Sequence, residues 1–181
     1  WDTMGLRATR SQLIHFNGTF LPDARRARVT FEDPNPIPVG FSWLSLGVAR
    51  AAMEFAIDYA KTRILPRTNQ PMCHLQSVQF AVAEMAMSLD AAESLAMRAA
   101  AMMDAKDPRA GLFHIESKAV ANETAAKVAT LALKIAGGTG YLKRLPIERY
   151  VRDAMGGQLM AWSTEVTRDF VGKLLLGLPP G

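Results

Sequence analysis

The chain has 181 residues, enough for one domain with its own core. Its net charge is +4, with acids and bases interspersed, which argues against a nucleic-acid partner. Its single cysteine, Cys73, excludes an internal disulfide and fits a reducing, cytoplasmic compartment. No apolar run is long enough for a membrane span and no signal peptide is visible.

In chain order, the sequence begins at Trp1 inside a patterned segment, as expected of a piece of a longer protein. Ile14 and Phe16 alternate with His15 and Asn17, and Asn17-Gly18 supplies a hairpin-type turn before Thr19, Phe20 and Leu21. Arg28 to Phe31 reads as one more short strand. Pro34, Pro36 and Pro38 then punctuate the chain, dividing residues 1–35, a short β segment, from residues 36–181.

After the prolines the period becomes helical. The first helix is expected from about Phe41 to Ile64, with Leu44, Val48, Ala52, Phe55 and Tyr59 on one face. Pro66 and Pro71 bracket a basic loop carrying Arg67. The second helix runs from about Met72 to Lys106, with an apolar stripe of Val78, Val82, Met85, Leu89, Ala92, Ala96, Ala99 and Met103. Asp107-Pro108 ends it. The third runs from about Ala110 to Ala136, with Ala121, Ala125, Val128, Ala132 and Ile135 inward, and stops at Gly137-Gly138-Thr139-Gly140. Pro146 opens a short helix through Met155, which Gly156-Gly157 should break. Ser163 caps a last helix carrying Val166, Phe170 and Leu174. The fold class is therefore all-α, an up-down antiparallel bundle preceded by a short β segment.

Several residues that could carry chemistry read as structural. His15, His74 and His114 have no ligand spacing, so no metal site is expected. Cys73 and the methionines of the second helix read as core. Lys143-Arg144 reads as a solvated loop, or as a contact to a nucleotide phosphate. Arg149, Arg152 and Asp153 read as ion-pair partners. Taken alone, Arg63 is a surface cation and Gly137-Gly138 a helix stop.

Met4 to Ser11, Asn17 to Pro22, Leu46 to Ala52, Tyr59 to Arg63, Gln76 to Gln79 and Gly137 to Tyr141 together resemble the C-terminal half of acyl-CoA dehydrogenases. Met4-Gly5-Leu6-Arg7-Ala8-Thr9-Arg10-Ser11 is similar to that family's MG-x-R-x-T-x-S strand, and Asn17 to Pro22 to the segment after it. Leu46 to Ala52 resembles the first helix of its bundle, Tyr59 to Arg63 the end of that helix, and Gln76 to Gln79 the start of the next. Gly137-Gly138-Thr139-Gly140-Tyr141, with Pro146, Arg149, Arg152, Asp153 and Ala154, is similar to its GG-x-GY…P…R…RDA block. The resemblance implies FAD held between subunits of a homotetramer, with the β segment as the end of a middle β-domain. It implies that Arg63 contacts the flavin pyrophosphate, that Gln76, Gly137 and Gly138 serve the adenosine diphosphate part, and that Ser163 and Glu165 lie near the flavin. This piece alone is expected to be inactive and to hold FAD weakly.

The match fails at the base that removes the α-proton. Counting from Arg152-Asp153-Ala154, the family's glutamate position is Ala161, followed by Trp162 where a glycine is usual. Residues 37–47, where some members carry that glutamate, contain no acid. Glu165 and Lys134 stand where glutamines are usual. Loss of a general base typically costs about 100- to 10,000-fold. Glu165 is a candidate relocated base if the last helix includes Ala161, so that the two share a face; otherwise it is a first-turn acid. The expected function is acyl-CoA dehydrogenation with an unknown base and an unknown electron acceptor. The alternatives are a flavin monooxygenase of the same superfamily and a non-catalytic subunit of a hetero-oligomeric dehydrogenase.

Overall fold

The computed structural model describes residues 2–26 and 37–179. Helix α1 spans Ile37–Thr62, α2 Gln76–Asp104, α3 Ala110–Gly140, α4 Ile147–Leu159 and α5 Thr164–Leu175. The contacts that join them fix their directions. Arg50 of α1 pairs with Glu93 of α2, and Lys127 of α3 reaches Glu84 of α2 at 2.6 Å. Ser42 and Ser45 of α1 meet Ser117 and Asn122 of α3 in the same order along the chain. So α2 runs against α1, and α3 runs with it. Helix α4 turns back along α3, since Asn122 donates to the Gly157 carbonyl at 2.6 Å.

The core explains the spacing. Ala49, Ala52, Ala56 and Ala60 of α1 are buried against Ala121, Ala125, Ala129, Ala132 and Ala136 of α3 and Ala92 and Ala96 of α2, with Leu46, Met85, Leu89 and Val128 filling the larger gaps. Alanine lets helix axes approach closely and favours the helix itself. The stripes expected on α2 and α3 are the buried ones, except that Met102 rather than Met103 turns inward and Val82 is half-buried. On α1 the face is displaced. Leu44 is exposed, and Val48, Phe55 and Tyr59 flank an alanine seam instead of forming it. The closely packed axes leave room for methyl groups but not for aromatic rings. On α5 the buried residues are Thr164 and Thr167, whereas Val166 and Leu174 face outward and Phe170 is half-buried.

The strands expected at residues 14–16 and 19–21 do not form. Phe16 and Phe20 are 69% and 85% exposed, and no other strand among the described residues runs beside them. A lone strand pair is marginal in water, so the alternating pattern finds no ladder here. The turn chemistry survives, with Gly18 at φ 63°. Arg28 to Phe31, Pro34 and Pro36 lie outside the described residues. The β-structure that does form was not anticipated. Ile64–Leu65 (β1) and Gln70–Pro71 (β2) pair antiparallel, and Asn69 takes a left-handed φ of 51° in the turn between them.

Two glycine positions are set by close approach. Gly156-Gly157 do not break α4, which continues to Leu159. A Cβ at Gly157 would lie 2.7 Å from Ser45 Oγ and 2.8 Å from Asn122 Oδ1. The pair is a contact surface rather than a stop.

Candidate functional site

The candidate residues separate to two ends of the bundle. Because α1 and α3 run together and α2 against them, the end of α1, the start of α2 and the end of α3 converge. Ala60, Val78, Ile135 and Ala136 share one core cluster at that end. Arg63 follows α1 directly. Its amide donates to the Tyr59 carbonyl at 2.9 Å, and its own carbonyl accepts from Met72 N at 2.9 Å, closing the β1–β2 hairpin. The backbone is thus anchored on both sides while the side chain is exposed, and among the described residues its guanidinium has no hydrogen bond or ion pair. Gln76 is the exposed first residue of α2.

Gly137 interrupts α3 at φ 59°, ψ −150°, a conformation essentially confined to glycine. A Cβ at Gly137 or Gly138 would meet nothing within 4 Å. Backbone conformation, not packing, requires glycine at 137, and the open space leaves the main chain there approachable. An apolar pocket of about 340 Å³ lies at the same end, between Ile57, Ala60, Lys61, Cys73, Val78 and Gln79. A free guanidinium, a carboxamide, an accessible glycine backbone and an apolar pocket thus lie at one end of the bundle, and guanidinium and open backbone N–H are donor types that bind phosphate.

The other end holds the turn between α4 and α5. Ala161 (φ 48°) and Trp162 (φ 76°) are consecutive left-handed residues and neither is glycine. Such a conformation costs about 1–2 kcal/mol per residue. The turn is held from several sides. Lys118 Nζ donates to the Trp162 carbonyl at 2.8 Å. The Trp162 ring packs on Phe170 with centroids 6.1 Å apart. Ser163 Oγ accepts from Val166 N at 3.3 Å, and the Ser163 carbonyl accepts from Thr167 N and Oγ1. Ser163 is therefore the helix cap its sequence position suggested.

Helix α5 begins at Thr164, so Ala161 lies outside it, and Glu165 does not share a helical face with Ala161. Glu165 is exposed. Its carboxyl is held below the ordinary value by a backbone N–H of its own turn and then by the Ser163 hydroxyl. That is the behaviour of a first-turn acid. Thr164 Oγ1, by contrast, is buried without a hydrogen-bond partner among the described residues.

A buried polar ladder runs from this end up the α1–α3 seam. Ser42 Oγ and Ser117 Oγ lie 3.2 Å apart, Ser45 Oγ donates to Asn122 Oδ1 at 2.6 Å, and Asn122 Nδ2 reaches the Gly157 carbonyl. Ser42 and Ser45 thus turn hydroxyls, not carboxylates, toward α3. Lys118 is only 3% exposed, and burial pushes its ammonium below the ordinary lysine value. The sequence reading overlooked this ladder. Its signal was faint: Lys118 and Asn122 stand at helical spacing before Ala125, Ala129, Ala132 and Ala136, so they fall on the row that those alanines bury.

The remaining candidates contact the chain itself or stand exposed. Asp153 Oδ1 accepts from Leu6 N at 2.6 Å, and Arg152 pairs with Glu148 and donates to the Met4 carbonyl. A Cβ at Gly5 would run into the Arg152 carbonyl. Residues 4–6 are thereby docked on α4. Arg149 lies over the Tyr150 ring at 5.3 Å. Lys143 and Arg144 are exposed. Among the described residues no three His, Cys, Asp or Glu side chains gather as a metal site, and no helix is long and apolar enough to cross a membrane.

Comparison with known proteins covers most of this architecture. Residues 39–176 match the profile of the acyl-CoA dehydrogenase C-terminal domain. The isobutyryl-CoA dehydrogenase of Dictyostelium discoideum is 40% identical over 131 residues, covering 72% of this chain and 31% of that protein. The cyclohex-1-ene-1-carbonyl-CoA dehydrogenase of Geobacter metallireducens is 35% identical over 132 residues, covering 73% and 34%. The solved structure of butyryl-CoA dehydrogenase from Megasphaera elsdenii superposes with a TM-score of 0.73 at 34% identity, covering 77% of this chain and 36% of that one. The chain spans about a third of the length of these relatives.

Proposed function

The chain belongs to the acyl-CoA dehydrogenase family, whose C-terminal domain it carries, and from that premise we propose that the whole protein is an FAD-dependent oxidoreductase converting an acyl-CoA thioester to its 2,3-enoyl form. In this reading residues 1–35 are the end of a middle β-domain, and the protein assembles as a homotetramer or hetero-oligomer. The observation that carries the reading is the open Arg63 end. An exposed guanidinium with no protein partner among the described residues, at the same end of the bundle as Gln76 and the Gly137-Gly138 backbone, offers a donor that a nucleotide pyrophosphate could use.

Arg63 would hold FAD by its pyrophosphate, Gln76, Gly137 and Gly138 would serve the adenosine diphosphate part, and Ser163 and Glu165 would lie toward the flavin. The bound flavin supplies the acceptor for the hydride leaving Cβ. Lys118 and the Arg63 end lie about 28 Å apart along α3 at ~1.5 Å per residue. That separation suits a cofactor shared between subunits, with each end serving a different molecule. The α-proton requires a base, and position 161 holds alanine. The base is then supplied elsewhere in the full-length protein or by another chain.

A second reading rests on that same alanine. With neither a carboxylate at position 161 nor one within residues 37–47, a monooxygenase that uses reduced flavin and oxygen needs no group this chain lacks. The full-length protein distinguishes the two. Bleaching of the flavin band by acyl-CoA under anaerobic conditions supports dehydrogenation. Oxygen-dependent turnover with supplied reduced flavin replaces it with monooxygenation. A preparation that binds no flavin at all indicates a non-catalytic subunit.

A further inference from the structure

The Met160–Ser163 turn joins two helices through consecutive left-handed residues, which an isolated chain of alanine and tryptophan avoids. Something in the fold must select it. The caps of α5 act only from Ser163 onward, and the Trp162–Phe170 contact lies on an exposed ring. The contact that reaches the turn from the interior is Lys118, on the opposite helix and 44 residues away in sequence. Its side chain is buried, and its ammonium donates to the carbonyl of the second left-handed residue. A buried amine is costly unless hydrogen-bonded, so amine and turn stabilise each other.

We propose that Lys118 is a positioning residue for position 161: through the Trp162 carbonyl it holds the α4–α5 turn in its left-handed form and so sets the direction in which residue 161 presents its side chain. The catalytic meaning of this role rests on the reading above that position 161 faces the acyl group. The hold on the turn does not.

The test separates the two. Full-length protein is labelled with 5-fluorotryptophan, and the Trp162 resonance is assigned by Trp162→Phe. Lys118→Met should shift or split that resonance. Adding Ala161→Gly, which adopts positive φ without a Cβ penalty, should return it toward its original position. Glycine at 161 should likewise recover part of the thermal stability lost in Lys118→Met. Should Lys118→Met fail to fold, recovery of folded protein on adding Ala161→Gly is the expected result, and no recovery overturns the proposal. An unmoved Trp162 resonance, or purely additive effects of the two substitutions, also overturns it, because a lysine that merely fills the core would not be rescued by glycine in the turn.

The functional arm uses Ala161→Glu. Removing Lys118 there should abolish most of the roughly tenfold gain in anaerobic flavin reduction that Ala161→Glu gives, with acyl-CoA affinity little changed. If Ala161→Glu shows no reduction while the resonance shift and rescue hold, the acyl-site reading of position 161 falls and the role of Lys118 in the turn stands.

Discussion

At the Arg63 end of the bundle the Arg63 and Gln76 side chains are exposed and without partners among the described residues, whereas toward the Ala161 end Ser42, Ser45, Asn122 and Lys118 are buried and bonded to the protein itself. The first end is framed by backbone: a closed hairpin, a helix start and one glycine in a conformation that other residues avoid. The second is held by side chains, from Ser42 and Ser45 through Asn122 to Lys118, converging on a turn that carries no acid. The contrast separates two tasks. A surface prepared for a ligand leaves hydrogen-bonding capacity unused, and a scaffold uses it internally. Here that scaffold is built around a turn whose residue 161 is alanine.

The first way to break the comparison is at the open end. If Arg63 makes a charge-assisted bond to pyrophosphate, Arg63→Ala should weaken FAD binding roughly 10- to 150-fold, the equivalent of about 1.5–3 kcal/mol, and leave the unfolding temperature of the apoprotein unchanged. Titration of apoprotein with FAD measures it, and an unchanged affinity would remove Arg63 from the site.

Gly157→Ala probes the closed end with the opposite expectation. The added Cβ meets Ser45 Oγ and Asn122 Oδ1, so stability should fall by about 1–3 kcal/mol in urea unfolding, with FAD affinity retained in the folded fraction. Equal losses in both readouts would show that the two ends are coupled.

Ala161→Glu sharpens the distinction between scaffold and chemistry. It should raise anaerobic flavin reduction by acyl-CoA about tenfold, less than a full general-base contribution, because Trp162 crowds the turn. Glu165→Gln should leave native flavin reduction unaltered, since its carboxylate is engaged by its own helix start. Abolition by that substitution would make Glu165 the working base.

The smallest effect concerns Thr164, whose hydroxyl is buried without a hydrogen-bond partner among the described residues. Thr164→Val should stabilise the protein by up to about 1 kcal/mol, since it removes an unsatisfied group at little change in shape. A destabilisation of similar size would mean that the hydroxyl has a partner in the assembled protein.

The sequence by itself determined the long helices, the stripes that α2 and α3 bury, the glycine stop at Gly137 and the Ser163 cap, because each depends on local periodicity or on one residue's backbone preference. It also carried the family resemblance. Only the tertiary structure decided which face of α1 is inward, since helix-to-helix distance selects alanine over larger apolar residues. It decided that Gly156-Gly157 admit neighbouring side chains, and that the alternating residues 14–21 remain without a ladder. And it decided the role of Lys118. A lysine on a helix reads as solvated until another element covers it, and the carbonyl that partners it lies in a turn no local rule could place.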